Sequence, residues 1–305
     1  MITLPSPSEL DPITLWAVLV FVVFLVLEIL LLRRRRGAAY PTRDGVQSVS
    51  LGVLSTPISA VVRTGAFLIF SWLYQYRLFD LDMRHALPWV LLFFGDDLSY
   101  YLHHRMGHTV RLLWAGHVAH HSSEHFNFAV ALRQAWGELA TKYVWYLWLP
   151  LVGFHPLAIM LMSAANLVYQ FFVHTEIVGR LGPLEWIFNT PSHHRVHHGS
   201  NIRYLDRNHG GILIIWDRLF GTFEPEAPEE PVRYGLTHPL PPMGLLSLAF
   251  HEYVAIWRDV KRAPTFRAKL GYIFMPPGWS HDGSTLTAEA LRTQAARQPA
   301  SGAEG

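Results

Sequence analysis

The sequence of 305 residues has no cysteine and few charges, since only 16% of its residues are Asp, Glu, Lys or Arg. Without cysteine the chain can form no disulfide, no thiolate metal site and no cysteine nucleophile. Any metal must therefore be bound by imidazole, carboxylate or backbone oxygen. A Walker-type loop, a dinucleotide fingerprint and a repeat of solenoid length are also missing. The net charge of +2 gives no indication of a nucleic-acid partner.

Hydrophobic residues make up 50% of the chain, and they lie in runs long enough to cross a bilayer. Residues 13–32 are almost wholly apolar and precede the arginines at 33–36, which predicts a retained anchor whose C-terminal end, with Glu28 near the interface, is cytoplasmic. Further spans are predicted at about 50–74, at about 87–103 and as a hairpin within 137–174, with its turn at 153–156.

These runs predict an all-α, polytopic membrane protein with about four to five transmembrane helices and a histidine-rich helical metal domain on the cytoplasmic face. Anchor helices are expected in 1–86 and a catalytic domain, including the transmembrane hairpin, in 87–226. Residues 243–262 combine apolar positions with Arg258, Lys261 and Arg262, which predicts an interfacial helix within a segment 227–280. The Ala-, Ser- and Gly-rich tail 281–305 is predicted to be disordered.

Histidine is abundant, and 14 of the 18 histidines lie between residues 103 and 209. Three motifs have the spacing of one helix face, and one histidine ends the predicted hairpin. The nine candidates are His104 and His108; His117, His120 and His121; His174; and His194, His197 and His198. A lone histidine is usually structural, but three such motifs on one side of a membrane indicate a metal site.

Nine imidazoles are too many for one ion, which predicts two metals. Nitrogen ligands suit iron, zinc, copper or nickel, and spacing alone does not choose among them. The HExxH pattern of hydrolytic zinc enzymes is missing, so a diiron centre that binds O2 is favoured.

Polar residues near the motifs are candidates to orient the metal ligands. They are Asp96, Asp97, His103, Glu124, Glu138, Glu176, His193 and Asp206. Two adjacent carboxylates in an apolar helix are costly, which makes Asp96 and Asp97 notable. Arg105, Arg133 and Arg195 are candidates to hold a lipid head or an acidic cofactor. The remaining histidines at 85, 155, 238, 251 and 281 are interpreted as ordinary.

The segments HHRMGH, HVAHH and HHRVHH resemble the fatty acid hydroxylase superfamily, which includes sterol desaturases, over about residues 94–225. The superfamily pattern HxxxH, HxxHH, HxxHH falls on the eight motif histidines, and His174 matches an additional ligand. Residues 120–134, 169–177, 181–199 and 212–226 are most similar to the alkylglycerol monooxygenase branch. In this region Asn127, Asn208 and Asp217 join the candidates for orienting ligands or touching substrate. His125 and His209 stand where that branch has aspartate and tyrosine.

The resemblance implies an O2-dependent, non-haem enzyme with two iron ions that hydroxylates the alkyl chain of an ether lipid next to the ether oxygen, releasing a fatty aldehyde. Its partners would be a membrane lipid and a separate electron donor, with tetrahydrobiopterin as the candidate reductant. The short N-terminal half and brief tail resemble a bacterial inner-membrane member. Two alternatives stay open: desaturation or hydroxylation of a sterol, hopanoid or carotenoid, and a non-enzymatic, histidine-lined metal transporter.

Overall fold

The computed structural model describes residues 7–36, 40–134 and 136–297, and regular structure within them is helical. Two isolated β-bridges, Phe188 with Leu213 and Gly199 with Tyr234, are the exceptions among these residues. The helices are α1 Pro7–Arg36, α2 Thr42–Tyr74, α3 Ala86–Thr109, α4 Arg111–Trp114, α5 Val118–His121, α6 Phe128–Ala131, α7 Trp136–Lys142, α8 Trp148–Val152, α9 Pro156–Val173, α10 Pro191–His197, α11 Ile215–Phe220, α12 Leu245–Arg262, α13 Phe266–Phe274 and α14 Ala288–Arg297. Short 3₁₀ helices cover Tyr143–Tyr146 and Gly182–Trp186.

Two helices among the described residues are long and apolar enough to cross a membrane, α2 and α9. The predicted first span lies inside α1, although the side chains of 13–18 are outside the described part. The predicted third span forms the first part of α3, whose second half carries buried polar residues. The all-helical class is therefore confirmed, whereas the number of four to five spans stays a prediction.

The first arm of the predicted hairpin is not one helix but α7, a 3₁₀ turn and α8. Pro150 has no N–H to donate to the Tyr146 carbonyl, and its ring crowds that carbonyl, which favours the break between the 3₁₀ turn and α8. The tight turn is present as predicted. Gly153 has φ 126°, and an added Cβ would lie 2.1 Å from the Phe79 carbonyl oxygen, so only glycine fits.

Helix α1 packs against α9 and α6 through aromatic rings, with Phe21 and Phe171 centroids 4.2 Å apart and Phe24 and Phe128 centroids 6.2 Å apart. Glu28 was expected at the membrane interface, and this expectation is wrong. Its carboxylate is buried, accepting hydrogen bonds from the Phe128 N–H at 2.7 Å and the Thr175 hydroxyl at 2.6 Å. These two donors make burial of the carboxylate tolerable, because a buried polar group needs a partner.

The segment from 281, predicted to be disordered, contains α14. Its alanines, glutamate, leucine and arginines are good helix formers, and the Ala290 N–H donates to the Thr287 hydroxyl at the helix start. Arg292 also donates to the Leu205 carbonyl at 2.6 Å, which ties α14 to the rest of the chain. Residues 298–305 lie outside the described part.

Candidate metal centre

The nine histidines predicted as ligands meet in two compact groups. We call His104, His108, His117, His121 and His197 the first histidine group, and His120, His174, His194 and His198 the second histidine group. In each group one side-chain nitrogen per residue lies within 4.8 Å of all the others, and every member is buried. The structure therefore brings together histidines from α3, α5, α10 and the end of α9.

Each HxxHH motif serves both groups, which differs from the single direction predicted for each motif. His117 and His121, four residues apart, join the first group, whereas His120 joins the second. The third motif is reversed, because His194 and His198 join the second group and His197 the first. Residues four apart share a helix face. A residue adjacent to one of them is rotated by about 100° about the helix axis, so it faces the other group.

Hydrogen bonds on the outer side of the rings fix how several imidazoles are oriented. Nδ1 of His104 bonds the His209 carbonyl at 2.9 Å, Nδ1 of His197 the Arg207 carbonyl at 2.9 Å, and Nδ1 of His174 the Gln170 carbonyl at 2.6 Å. A carbonyl oxygen only accepts, so each Nδ1 must carry the hydrogen. The lone pair of Nε2 then faces the interior of its group, as in metal-binding histidines.

The inner nitrogens have the environment that a metal ion requires. Nε2 of His104 lies 3.1 Å from Nε2 of His117, whose Nδ1 is bonded to Glu138 at 2.9 Å. With both Nδ1 atoms donating, two lone pairs face each other at that distance, an arrangement that a shared cation would relieve. Nε2 of His108, His197 and His198 is buried without a hydrogen-bond partner. All-nitrogen donor sets of this kind fit iron and other first-row transition metals.

Burial also keeps the imidazoles neutral. Burial, reinforced by neighbouring imidazoles, lowers the pKa of His120, His121, His194, His197 and His198 well below the usual value of 6.5. Neutral imidazole is the form that can donate a lone pair to a metal.

Carboxylates contact the outer side of the first histidine group. Glu138 bonds His117, and its second oxygen bonds His103 at 3.2 Å. Asp206 bonds Nδ1 of His108 at 3.3 Å. Gly116 permits the approach of α7, because a Cβ there would lie 2.7 Å from the Glu138 nitrogen.

Three of the candidate orienting residues form hydrogen bonds that hold the loop 208–217, and none of these bonds is to a histidine ring of either group. Asp97 accepts from the Ile212 and Leu213 N–H groups at 2.7 and 3.0 Å, and Asp217 accepts from the His209 and Gly210 N–H groups at 2.7 and 2.8 Å. The Asn208 side chain donates to the His193 and Glu224 carbonyls at 3.1 and 2.7 Å. These bonds hold in place the loop whose His209 carbonyl orients His104.

The other candidates have different surroundings. Asp96 accepts from Asn166 at 2.9 Å in the helix interior, and the Asn127 side chain caps α6 by accepting from Ala129. Glu124 is exposed, Glu176 is half-buried two residues after His174, and His193 lies edge-on to Phe223, with ring centroids 5.4 Å apart.

Arg133 and Arg195, candidates to hold a lipid head, each form an ion pair with a carboxylate of the protein. Arg133 is buried and donates to Asp44 at 2.8 Å and to the Ala119 carbonyl at 2.9 Å, beside ligand His120. Arg195 is buried and forms an ion pair with Glu226 at 2.7 Å. Arg105 donates to the Tyr101 hydroxyl at 3.2 Å. Asp44 and Glu226 lie 89 and 31 positions from their arginines, so these two ion pairs leave no signal in a single sequence.

The two histidines that depart from the branch pattern have different surroundings. The ring of His209 is buried 5.0 Å from that of His108, beside the first histidine group. His125 is exposed and lines a cavity of about 450 Å³ between the start of α2 and the loop before α12. The five histidines interpreted as ordinary lie outside both groups; His155, for example, caps α9.

Apolar helices around two buried sets of imidazoles are typical of the histidine-rich membrane proteins. Residues 89–222 match the family model described as fatty acid hydroxylase, and the chain carries a domain of that family. It is 42% identical to alkylglycerol monooxygenase of Xenopus tropicalis, over 86% of this chain and 58% of that protein. Identity to the Homo sapiens alkylglycerol monooxygenase is 44%, over 77% of this chain and 53% of that protein.

The chain spans little more than half the length of these relatives. It is also 33% identical to the ornithine lipid hydroxylase OlsE of Rhizobium tropici, over 42% of this chain and 39% of that protein. No solved structure matches. The alkylglycerol monooxygenases are animal proteins, so they give no support to the expected bacterial origin.

Proposed function

We propose that this chain is a membrane-bound, O2-dependent diiron monooxygenase that hydroxylates the alkyl chain of an ether lipid at the carbon next to the ether oxygen. One oxygen atom enters the C–H bond and the other becomes water, which consumes two electrons and two protons. The product is a hemiacetal, which separates into a fatty aldehyde and a glycerol. The observation that carries the proposal is the convergence of nine buried imidazoles in a domain similar to alkylglycerol monooxygenases.

The two histidine groups would each hold one iron ion, and iron at such a centre supplies activation of O2 for insertion into a C–H bond. The protein residues keep this chemistry dry, because all nine ligands are buried. Glu138 and the carbonyls of His209, Arg207 and Gln170 keep the rings aimed inward. A histidine-lined transporter is less well supported, since a transport path needs polar residues spread through the bilayer depth.

Four to five transmembrane helices, with the histidine groups at the cytoplasmic face, would place the site where a lipid chain meets its headgroup. The arginines at 33–36 support this orientation. Electrons would come from a separate donor, because the sequence has no nucleotide-binding fingerprint. Tetrahydrobiopterin is the reductant that the family resemblance favours.

The test uses iron-loaded protein in lipid nanodiscs with reduced tetrahydrobiopterin. A 1-O-alkylglycerol should give fatty aldehyde in proportion to the O2 consumed. The matched control is the 1-O-acylglycerol of equal chain length, which has a carbonyl in place of the reactive CH₂ and should give no aldehyde. Consumption of O2 with hydroxylation or desaturation of a sterol, hopanoid or carotenoid, and no aldehyde from the ether, would contradict the substrate assignment.

A further inference from the structure

The outer face of helices α12 and α13 is apolar and exposed, although the Phe250 ring also contacts that of Trp136, with centroids 5.6 Å apart. On α12 the exposed side chains are Leu246, Phe250, Val254 and Trp257, with exposed fractions of 66, 43, 44 and 59%. Because an α-helix turns about 100° per residue, these four lie within an arc of about 80°. On α13 they are Phe266, Leu270 and Phe274, with exposed fractions of 75, 40 and 56% and the same four-residue spacing. We call these seven residues the apolar face.

On these two helices the acidic side chains face the protein and the basic side chains are exposed. The acidic residues Glu252 and Asp259 turn inward, and both bind Arg111 at 2.7 Å. The exposed basic residues that border the apolar face are Arg258, Lys261, Arg262, Arg267 and Lys269. Lys261 Nζ lies 4.7 Å from the centroid of the Trp257 ring, so the cation and the aromatic ring share one edge.

We propose that α12 and α13 together form a docking surface for an anionic lipid bilayer. In this arrangement the apolar face enters the acyl-chain boundary and the five basic side chains meet lipid phosphates, as amphipathic helices do at interfaces. Anionic lipid complements this charge. A second copy of the chain does not, because two such faces would bring ten cations together.

The docking surface is tied to the first histidine group. Arg111, which binds both acidic residues of α12, stands three positions after ligand His108, and its N–H donates to the Met275 carbonyl at 3.1 Å. The depth of α12 and α13 in the lipid therefore sets the height of the histidine groups above the acyl chains. If the proposed function holds, this height decides which carbon of a lipid chain reaches the site.

The chain contains no cysteine, so a single introduced cysteine can be labelled without background. Val254→Cys and Leu270→Cys, each carrying a nitroxide, report on the apolar face, and Gln294→Cys on exposed α14 is the matched control. The full chain is reconstituted in phosphatidylcholine vesicles with or without phosphatidylglycerol. We expect the ratio of O2 to nickel-chelate accessibility to be several-fold higher at 254 and 270 than at 294, and to rise further with phosphatidylglycerol.

Charge reversal tests the anionic component separately. Lys261→Glu should markedly reduce the response of the label at 254 to phosphatidylglycerol, whereas Arg297→Glu, which reverses a charge at the end of α14, should leave it intact. Equal accessibility at 254, 270 and 294 would overturn the proposal. Spin–spin broadening between labels on different chains would overturn it as well, since it would show a protein interface. Neither readout depends on iron or turnover, so the proposed function stands or falls independently.

Discussion

His104 and His117 give the most direct indication of a metal ion at the scale of single residues. Both have Nδ1 committed to an acceptor, and their Nε2 atoms lie 3.1 Å apart. Two facing lone pairs in a buried site are unfavourable, so an ion that binds both stabilises the arrangement. His108 belongs to the first histidine group and His120 to the second, so the two proposed sites can be tested one at a time.

His108→Ala and His120→Ala should each reduce the iron content of the purified protein by one of the two proposed ions, because each removes a ligand from one group only. The control is His251→Ala, since His251 lies outside both groups and bonds the Leu248 carbonyl at 3.0 Å. Iron content is measured by elemental analysis and the type of centre by Mössbauer spectroscopy. Unchanged iron in both ligand variants would remove the basis of the assignment.

The eight motif histidines of the two groups could be predicted from residue type and helical spacing, and His174 from its position at the end of the hairpin. The way each HxxHH motif divides between the groups could not, because it depends on the direction in which α5 and α10 enter the centre. The acceptors of His104, His174 and His197 are backbone carbonyls. Every residue has a backbone carbonyl, so no side-chain pattern in the sequence marks these three.

At the scale of helices, α1 is part of the structure that holds the second histidine group. Glu28 joins the Phe128 N–H at the start of α6 to the hydroxyl of Thr175, the residue directly after His174. Arg195 donates to the Thr175 carbonyl at 3.2 Å from the opposite side. The position of His174 therefore depends on a helix that the sequence predicts only as an anchor.

Glu28→Ala should destabilise the protein by about 1–3 kcal/mol, because it leaves the buried Phe128 N–H without an acceptor. Glu28→Gln keeps one oxygen and should fall between the parent and Glu28→Ala. Thermal unfolding in detergent measures stability, and iron retention during dialysis reports on His174. Exposed Glu289→Ala on α14 is the control and should match the parent. If Glu28→Ala retained both stability and iron, the link between α1 and the second group would be wrong.

Two errors at this scale have identifiable causes, one local and one remote in sequence. A hydrophobic run of spanning length predicts one helix, but this run is divided before α8, where Pro150 has no N–H to donate to the Tyr146 carbonyl. The Ala-rich tail contains a helix because Arg292 and the carbonyl of Leu205, remote in sequence, hold it in place. Both α12 and the turn at Gly153 could be predicted, since periodicity and glycine act locally.

At the scale of the whole molecule, the histidine groups connect elements that are far apart along a chain without disulfides. The first group joins α3, α5 and α10, and the second joins α5, α9 and α10. Bound ions would act as cross-links between these elements, because a ligand that binds only the folded state stabilises it.

Removal of iron by a chelator should therefore lower the unfolding temperature by several degrees, and addition of ferrous ion should restore it. Binding at a free concentration 100 times the dissociation constant contributes about 2.7 kcal/mol per site, and without the ions the facing imidazole nitrogens also repel. The His108→Ala variant should show a smaller shift, since one site is already lost. An identical unfolding temperature with and without iron would mean that the imidazoles pack stably by themselves, and the two groups would then be structural rather than metal-binding.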